Sequence, residues 1–306
     1  MSSLINNYNQ TQLISTHGFI YKLSSVFYPV FKGDTETLYE KIGILKTDGY
    51  PIIYVTTKSL LKLPVFPRQP FILLSGDSLD SVNYSNFKVG INQILKNPFV
   101  KKWYVQNWAL PLHPKIRILP LGLDYHTLAN RGNPIMSLSY LFHPRKQKKW
   151  GDLAMPLEQE QSILSIQKSQ KRQMLCYVNF NKGCKDRSDA LKEIPPHLIY
   201  KNEKLISRKD FWFEISKFYF VISPHGNGLD CHRTWEALAL GCIPIVKKSW
   251  LSVGKLYEDL PVLIVDNWSD ITLELLEKTK NELFTNKIPD KMYIEYWKNL
   301  IINDLK

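Results

Sequence analysis

His232, Arg233 and Glu236 stand in the run SPHGNGLDCHRTWEALALGCIPIVK, Ser223 to Lys247, and their types and spacing describe a site for a phosphorylated ligand. Residues 232 and 236 are four apart and 233 and 236 three apart, so on a helix all three are neighbours in its first turns. There the unpaired N–H groups and the positive end of the helix dipole favour an anion. Arg233 adds a planar fork of donors suited to phosphate oxygens. Glu236 would repel a phosphate, but it is a good acceptor for the paired hydroxyls of a ribose. With Ser223, His225, Gly226, Asn227 and Gly228 just before them, these residues make a candidate nucleoside diphosphate site. A plainer reading gives Arg233 and Glu236 to each other as an i, i+3 ion pair.

Such a site needs a strand to lead into it and a helix to carry it. Phe218 to Ile222 is a short apolar, aromatic and β-branched run, suited to a strand buried on both faces of a parallel sheet. Pro224, Gly226 and Gly228 then break the chain, the glycines permitting positive φ and close approach of a ligand to the backbone. The helix that follows has Asp230 as its expected N-cap and Gly241 as the residue just beyond its end. Trp235, Leu238, Ala239 and Cys242 recur at i, i+3, i+4, i+7 and form its core face.

The stretch SPHGNGLDCHRTWEALALGCIPIV resembles the nucleotide-sugar motif of the exostosin-type glycosyltransferases. In that motif a strand ends in Ser-Pro-x-Gly, and the next helix opens with His-Arg-x-x-Glu-Ala-Leu before Gly-Cys-Ile-Pro. LYEDLPVLIVDNWSDIT, Leu256 to Thr272, continues in the same style. The resemblance implies two Rossmann-like domains facing across a cleft, the GT-B arrangement. It implies a nucleotide-sugar donor, most simply a UDP-sugar such as UDP-xylose or UDP-glucuronic acid, and a glycan acceptor. The first half of the chain resembles the family only loosely.

The 306 residues suffice for two domains with real cores, and 44% hydrophobic and 22% charged residues are globular values. Strand-like runs at 49–57, 70–77 and 115–124, separated by helical or irregular segments, follow the grammar of an open α/β sheet. A second set begins at Met174 to Phe180 and continues with the strand at 218–222, Cys242 to Lys247 and Pro261 to Asp266. Between the sets LEQEQSILSIQKSQKR, Leu157 to Arg172, reads as an exposed charged helix. The expected division is therefore 1–155 for the acceptor domain and 156–306 for the donor domain, with the last helix packed back on the first domain. No run reaches the ~18 apolar residues of a membrane span, and the N-terminus lacks a signal-peptide pattern, so a cytoplasmic protein is expected. Peripheral membrane contact stays open, because a formal charge of +12 favours anionic partners of every kind. The basic run HPRKQKKW, His143 to Trp150, reads first as a solvated surface. Four cysteines, Cys176, Cys184, Cys231 and Cys242, have no C-x-x-C pair and read as free thiols.

Glycosyl transfer needs stabilisation of the leaving diphosphate and, for inversion, a base for the acceptor hydroxyl. His232, Arg233 and the nearby N–H groups answer the first need. Asp-x-Asp, the usual signature of metal-bound diphosphate in such enzymes, is absent, so a reaction without metal or resident cofactor is expected. Asp77, Asp124 and His126, each at the end of a strand-like run, compete for the base, and at most one can be it. Each could equally cap a loop. Asn179, Asn181 and Arg187, after the first strand of the second set, are secondary donor-site candidates, and Asn107 with Trp108 is a candidate acceptor subsite. Two other readings compete. One is a DNA-modifying glucosyltransferase, although no nucleic-acid motif is visible. The other is a nucleotide-sugar-binding protein without turnover.

Overall fold

The structure, a computed structural model, describes residues 2–24, 26–28, 51–78, 80–129, 155–166, 171–180, 183–202 and 206–304. The basic run at 143–150, Lys168 and Asn181 lie outside them. In order, the first part holds helices α1 (Ser2–Gln10) and α2 (Thr16–Leu23), strands β1 (Val26–Tyr28), β2 (Ile52–Thr56) and β3 (Phe71–Gly76), helix α3 (Tyr84–Lys96), strands β4 (Val100–Val105) and β5 (Ile116–Ile118), and helices α4 (His126–Ala129) and α5 (Pro156–Ser165). The second holds β6 (Gln173–Val178), α6 (Lys185–Glu193), β7 (Ile199–Lys201), α7 (Arg208–Ile215), β8 (Phe218–Ile222), α8 (His232–Ala239), β9 (Ile243–Lys247), α9 (Trp250–Val253), β10 (Leu263–Val265), α10 (Leu273–Leu283) and α11 (Ile294–Asn303).

The chain is an α/β protein with two wholly parallel five-stranded sheets. The first runs β1-β2-β3-β4-β5, with no reversal of order among the described strands. The second runs β10-β9-β8-β6-β7, so the chain goes outward from β6 to β7 and then returns to β8 on the other side. That reversal leaves a topological switch point between β6 and β8, where a doubly wound sheet opens a crevice beyond its strand ends. β3 is buried along its whole length, as a strand covered on both faces must be.

Several sequence expectations need correction. β4 falls in a segment expected to be helical or irregular, because Lys101 and Lys102 interrupt its apolar pattern. Both lie at the strand's outer end, and Lys102 Nζ donates to the Pro114 carbonyl at 3.1 Å. The strand expected at 115–124 is only Ile116–Ile118, since Pro120 and Gly122, at φ +70°, divert the chain. The supposedly exposed helix at 157–172 is α5, and it buries Pro156, Gln159, Glu160 and Ile163. Its Glu160 carboxylate accepts from Gln12 N (2.7 Å), Leu13 N (2.9 Å) and the Tyr125 hydroxyl (2.9 Å), which offsets the cost of burying it.

α11 lies against the first sheet's elements, with Ile294 N donating to the Gln12 carbonyl at 2.9 Å and Trp297 edge-on to Phe19. One buried apolar cluster joins the two sheets, from Trp103 and Tyr104 to Val221 and Trp235. A second, with Cys176, Phe220, Ile222 and Ile245, covers the far face of the second sheet. The site therefore forms across a packed junction.

Candidate functional site

α8 carries the site, and its ends explain its placement. At its C-terminus Cys242 N bonds the Ala237 carbonyl (2.8 Å) and Gly241 N the Leu238 carbonyl (3.0 Å), a Schellman closure with Gly241 at φ +69°. At its N-terminus the cap is Cys231, not Asp230, and the Cys231 side chain makes no capping bond. Thr234 N bonds the Cys231 carbonyl at 3.1 Å, and the N–H groups of His232 and Arg233 are left for another acceptor. Trp235, Leu238, Ala239 and Cys242 are buried, as the periodicity requires.

Asp230 has a different task. Its fully buried carboxylate accepts from Leu121 N (2.8 Å), Cys231 N (2.8 Å) and Trp235 Nε1 (2.9 Å), while its own N–H donates to Asn107 Oδ1 (2.8 Å). Burial pushes its pKa up to about 6, opposed by those N–H donors, so it is ionised at neutral pH. Asp230 ties the start of α8 to the loops of the first sheet. Gly228 packs here as well, since a Cβ on it would lie 2.6 Å from the Asn107 side chain. Neither Gly226 nor Gly228 has positive φ; close approach, not turn geometry, selects them. Asn107 (φ +54°) is a junction residue and Trp108 is buried core, so Trp108 cannot stack on a sugar.

Beyond β6 and β8, at the switch point, lies a cavity of ≈ 530 Å³. Asn179, Arg187, Gly226, Asn227, Gly228, His232, Arg233 and Glu236 all line it, so the structure brings together eight of the residues that sequence assigned to one site. Ser223 and His225 are not among them. Ser223 Oγ lies beneath the loop, 2.9 Å from Cys231 Sγ and 2.8 Å from Thr234 Oγ1. His225 faces a separate hollow with Trp250, and its N–H is held by Asp186 Oδ2 at 2.8 Å.

The electrostatics of the cavity are those of an anion site. Arg187 Nε and Arg233 Nε are buried with no hydrogen-bond partner among the described residues. Arg233 reaches only Cys231 Sγ, at 3.9 Å, and stacks over Phe180 with 5.3 Å to the ring centroid. Burial lowers the Arg233 pKa and the Arg187 charge lowers it further, so the two guanidinium groups repel each other. Arg233 and Glu236 form no ion pair. Glu236 instead accepts from Trp212 Nε1 of α7 at 3.1 Å, which fixes its carboxylate at the cavity wall.

The three candidate bases meet in one cluster with two further histidines, next to the cavity. Asp77, at φ +59°, pairs with His17 Nε2 at 3.3 Å. Burial acts to raise the Asp77 pKa, but the His17 hydrogen bond and the imidazoles of His17, His126 and His232 together hold it below the ordinary carboxylate value. Asp124 is buried, and its Oδ2 accepts from Arg208 Nη2 (2.9 Å) while Oδ1 accepts from Thr127 N (3.0 Å). Burial opposes its ionisation, yet His232, His126 and Arg208 overcome this and hold it well below the usual range. His126 stacks on His17 with 5.0 Å between centroids and tilts toward His232 at 5.5 Å. Burial, helped by the His232 and His17 charges and opposed by Asp124, brings the His126 pKa down to about 4.

Asp124, His126 and His232 also place one potential metal-ligand atom each within 4.8 Å of one another. Arg208 already occupies Asp124 Oδ2, and His232 Nδ1 lies 2.7 Å from the Gly122 carbonyl. Sequence reasoning missed Asp230, Arg208, Trp212 and His17, whose roles depend on partners far along the chain.

No protein-family model matches the chain, and no curated protein is significantly similar to it. No helix among the described residues is long and apolar enough to cross a membrane.

Proposed function

We propose that this chain is a glycosyltransferase of GT-B type that moves a sugar from a nucleotide-sugar, a UDP-sugar in the simplest case, to a hydroxyl of a glycan acceptor. The observation that carries the reading is the pair of buried, unsatisfied guanidinium Nε atoms, of Arg187 and Arg233, beside a helix start whose N-cap side chain makes no capping bond, in a cavity at the switch point. Two half-buried like charges with buried, unsatisfied Nε atoms are costly unless an anion joins them. In this reading a diphosphate lies between them, and Glu236, on the wall of the same cavity, accepts from the ribose hydroxyls. Phe180 and Phe211, also lining the cavity, offer apolar surface to a base or sugar.

In the reaction the bond from the anomeric carbon to the diphosphate breaks, and charge grows on the leaving phosphate oxygens. On this reading Arg187, Arg233 and the first α8 N–H groups, which share the cavity, stabilise that charge as it develops. They supply the neutralisation that a divalent cation supplies in Asp-x-Asp enzymes, which supports a metal-independent course. Inversion at that carbon follows if the acceptor enters from the side of the Asp77–His126 cluster, opposite the diphosphate.

Thermal unfolding against UDP-, GDP- and CDP-sugars in EDTA tests the reading, because a ligand of the native state raises the midpoint. A selective rise with one nucleotide class, lost in Arg233→Ala, is expected. No rise with any nucleotide would overturn it.

A further inference from the structure

We infer that His232, rather than Asp77, Asp124 or His126, takes the proton from the acceptor hydroxyl. The inference rests on the glycosyltransferase reading above. Of these four residues only His232 lines the cavity. Its Nδ1 lies 2.7 Å from the Gly122 carbonyl, an atom that can only accept, so Nδ1 carries the hydrogen. The lone pair of the neutral ring is then on Nε2, for which no hydrogen bond to a described residue is found, on a side chain that lines the cavity. A fixed tautomer with its free nitrogen open to the substrate is what a general base requires.

The competitors do not line the cavity, and each is engaged by its neighbours. Both Asp124 oxygens accept hydrogen bonds, from Arg208 and Thr127. Asp77 is paired with His17, and His126 is wedged between the His17 and His232 rings. The groups that face His232 are Asp124 and His126 from the loop and helix after β5, Asp77 from the loop after β3, Asp230 just before α8, and Arg233 beside it, with Arg208 of α7 behind Asp124. With both oxygens committed to Arg208 and Thr127, Asp124 is a positioning residue for His232, not the base. As the acceptor oxygen bonds the anomeric carbon, its proton passes to Nε2. The carbon–diphosphate bond breaks, its electron pair leaves on the nucleoside diphosphate, and the imidazolium later releases the proton to solvent.

The test compares wild type, His232→Gln and Asp124→Asn by UDP binding and by UDP release from UDP-glucose, UDP-galactose, UDP-xylose, UDP-glucuronic acid and UDP-N-acetylglucosamine, with and without azide. Azide is an anionic nucleophile and needs no base. His232→Gln should bind UDP within about threefold of wild type and lose about 10²–10⁴-fold in rate. Azide should restore release, with a glycosyl azide as product. Asp124→Asn should lower the rate with UDP affinity kept within about threefold, and azide should restore release, which a purely structural role would not do.

A His232→Gln enzyme of undiminished rate, or one that azide fails to rescue, overturns the assignment. If wild type does not bind UDP at all, the glycosyltransferase reading fails instead. If UDP binds but none of these donors is cleaved, diethylpyrocarbonate labelling read by mass spectrometry decides. His232 should be modified first and be protected by UDP, and slow or unprotected labelling overturns the inference.

Discussion

Replacing Arg187 with methionine should make the empty protein more stable and its nucleotide binding weaker. Arg187 keeps a half-buried guanidinium whose Nε is unsatisfied, and its charge works against Arg233. Leaving a buried polar group unpaired costs about 1–3 kcal/mol, and partial exposure places Arg187 at the low end, about 1 kcal/mol. Methionine keeps the length of the side chain and removes that cost. With 306 residues and ~2.1 cal/mol/K per residue, 1 kcal/mol moves the midpoint by about 1.5 °C. The charge-assisted bonds to a diphosphate are worth about 1.5–3 kcal/mol, so UDP affinity should fall roughly 10- to 150-fold. Differential scanning calorimetry of the free protein and isothermal titration with UDP read the two effects separately. A midpoint lowered by several degrees with UDP affinity kept within threefold would refute the reasoning, because it would make Arg187 a structural residue.

Glu236→Ala should weaken UDP by roughly 5- to 30-fold, the worth of about 1–2 kcal/mol of hydrogen bonding, and should abolish any preference for UDP over 2′-deoxy-UDP in titration. Gly228→Ala should cost about 2–3 kcal/mol of stability, seen as a lower melting midpoint, because its Cβ would press on Asn107, which Asp230 holds in place. Asn107→Gly in the same chain should recover part of that loss. The His126 pKa, brought down to about 4, means that the unfolded chain binds a proton near pH 6.5 that the folded protein refuses. Stability from this residue is present above pH 6.5 and lost as pH falls toward 4, by roughly 3 kcal/mol in all. Urea titrations should show wild type losing that much relative to His126→Gln over this window. Asp230, raised to about 6, acts with the opposite sign in both proteins and cancels from the comparison.

The cavity half of the candidate site was legible because most of its residues lie on one strand, one loop and one helix. Spacing placed His232, Arg233 and Glu236 on a common face, and strand-end logic put Asn179 and Arg187 opposite them. What the sequence hid is the junction. Asp230 resembles an N-cap from its position before the helix, yet its carboxylate is drawn to Leu121, 109 residues away, and its N–H to Asn107, 123 residues away. Arg208 looks like any basic residue opening a helix, and only the packing of α7 reveals its pairing with Asp124. The two lysines near the start of β4 masked a strand that lies inside the sheet. Tertiary partners decided each of these cases, and local pattern carries no record of them.

The account depends on a diphosphate lying between Arg187 and Arg233, and a crystal structure of the protein with UDP tests that most directly. Phosphate oxygens within ~3.2 Å of both guanidinium groups, with the ribose on Glu236, are the predicted result. UDP seated elsewhere, in the Trp250 hollow or on the 143–150 basic run, with both arginines turned from the nucleotide, would contradict it.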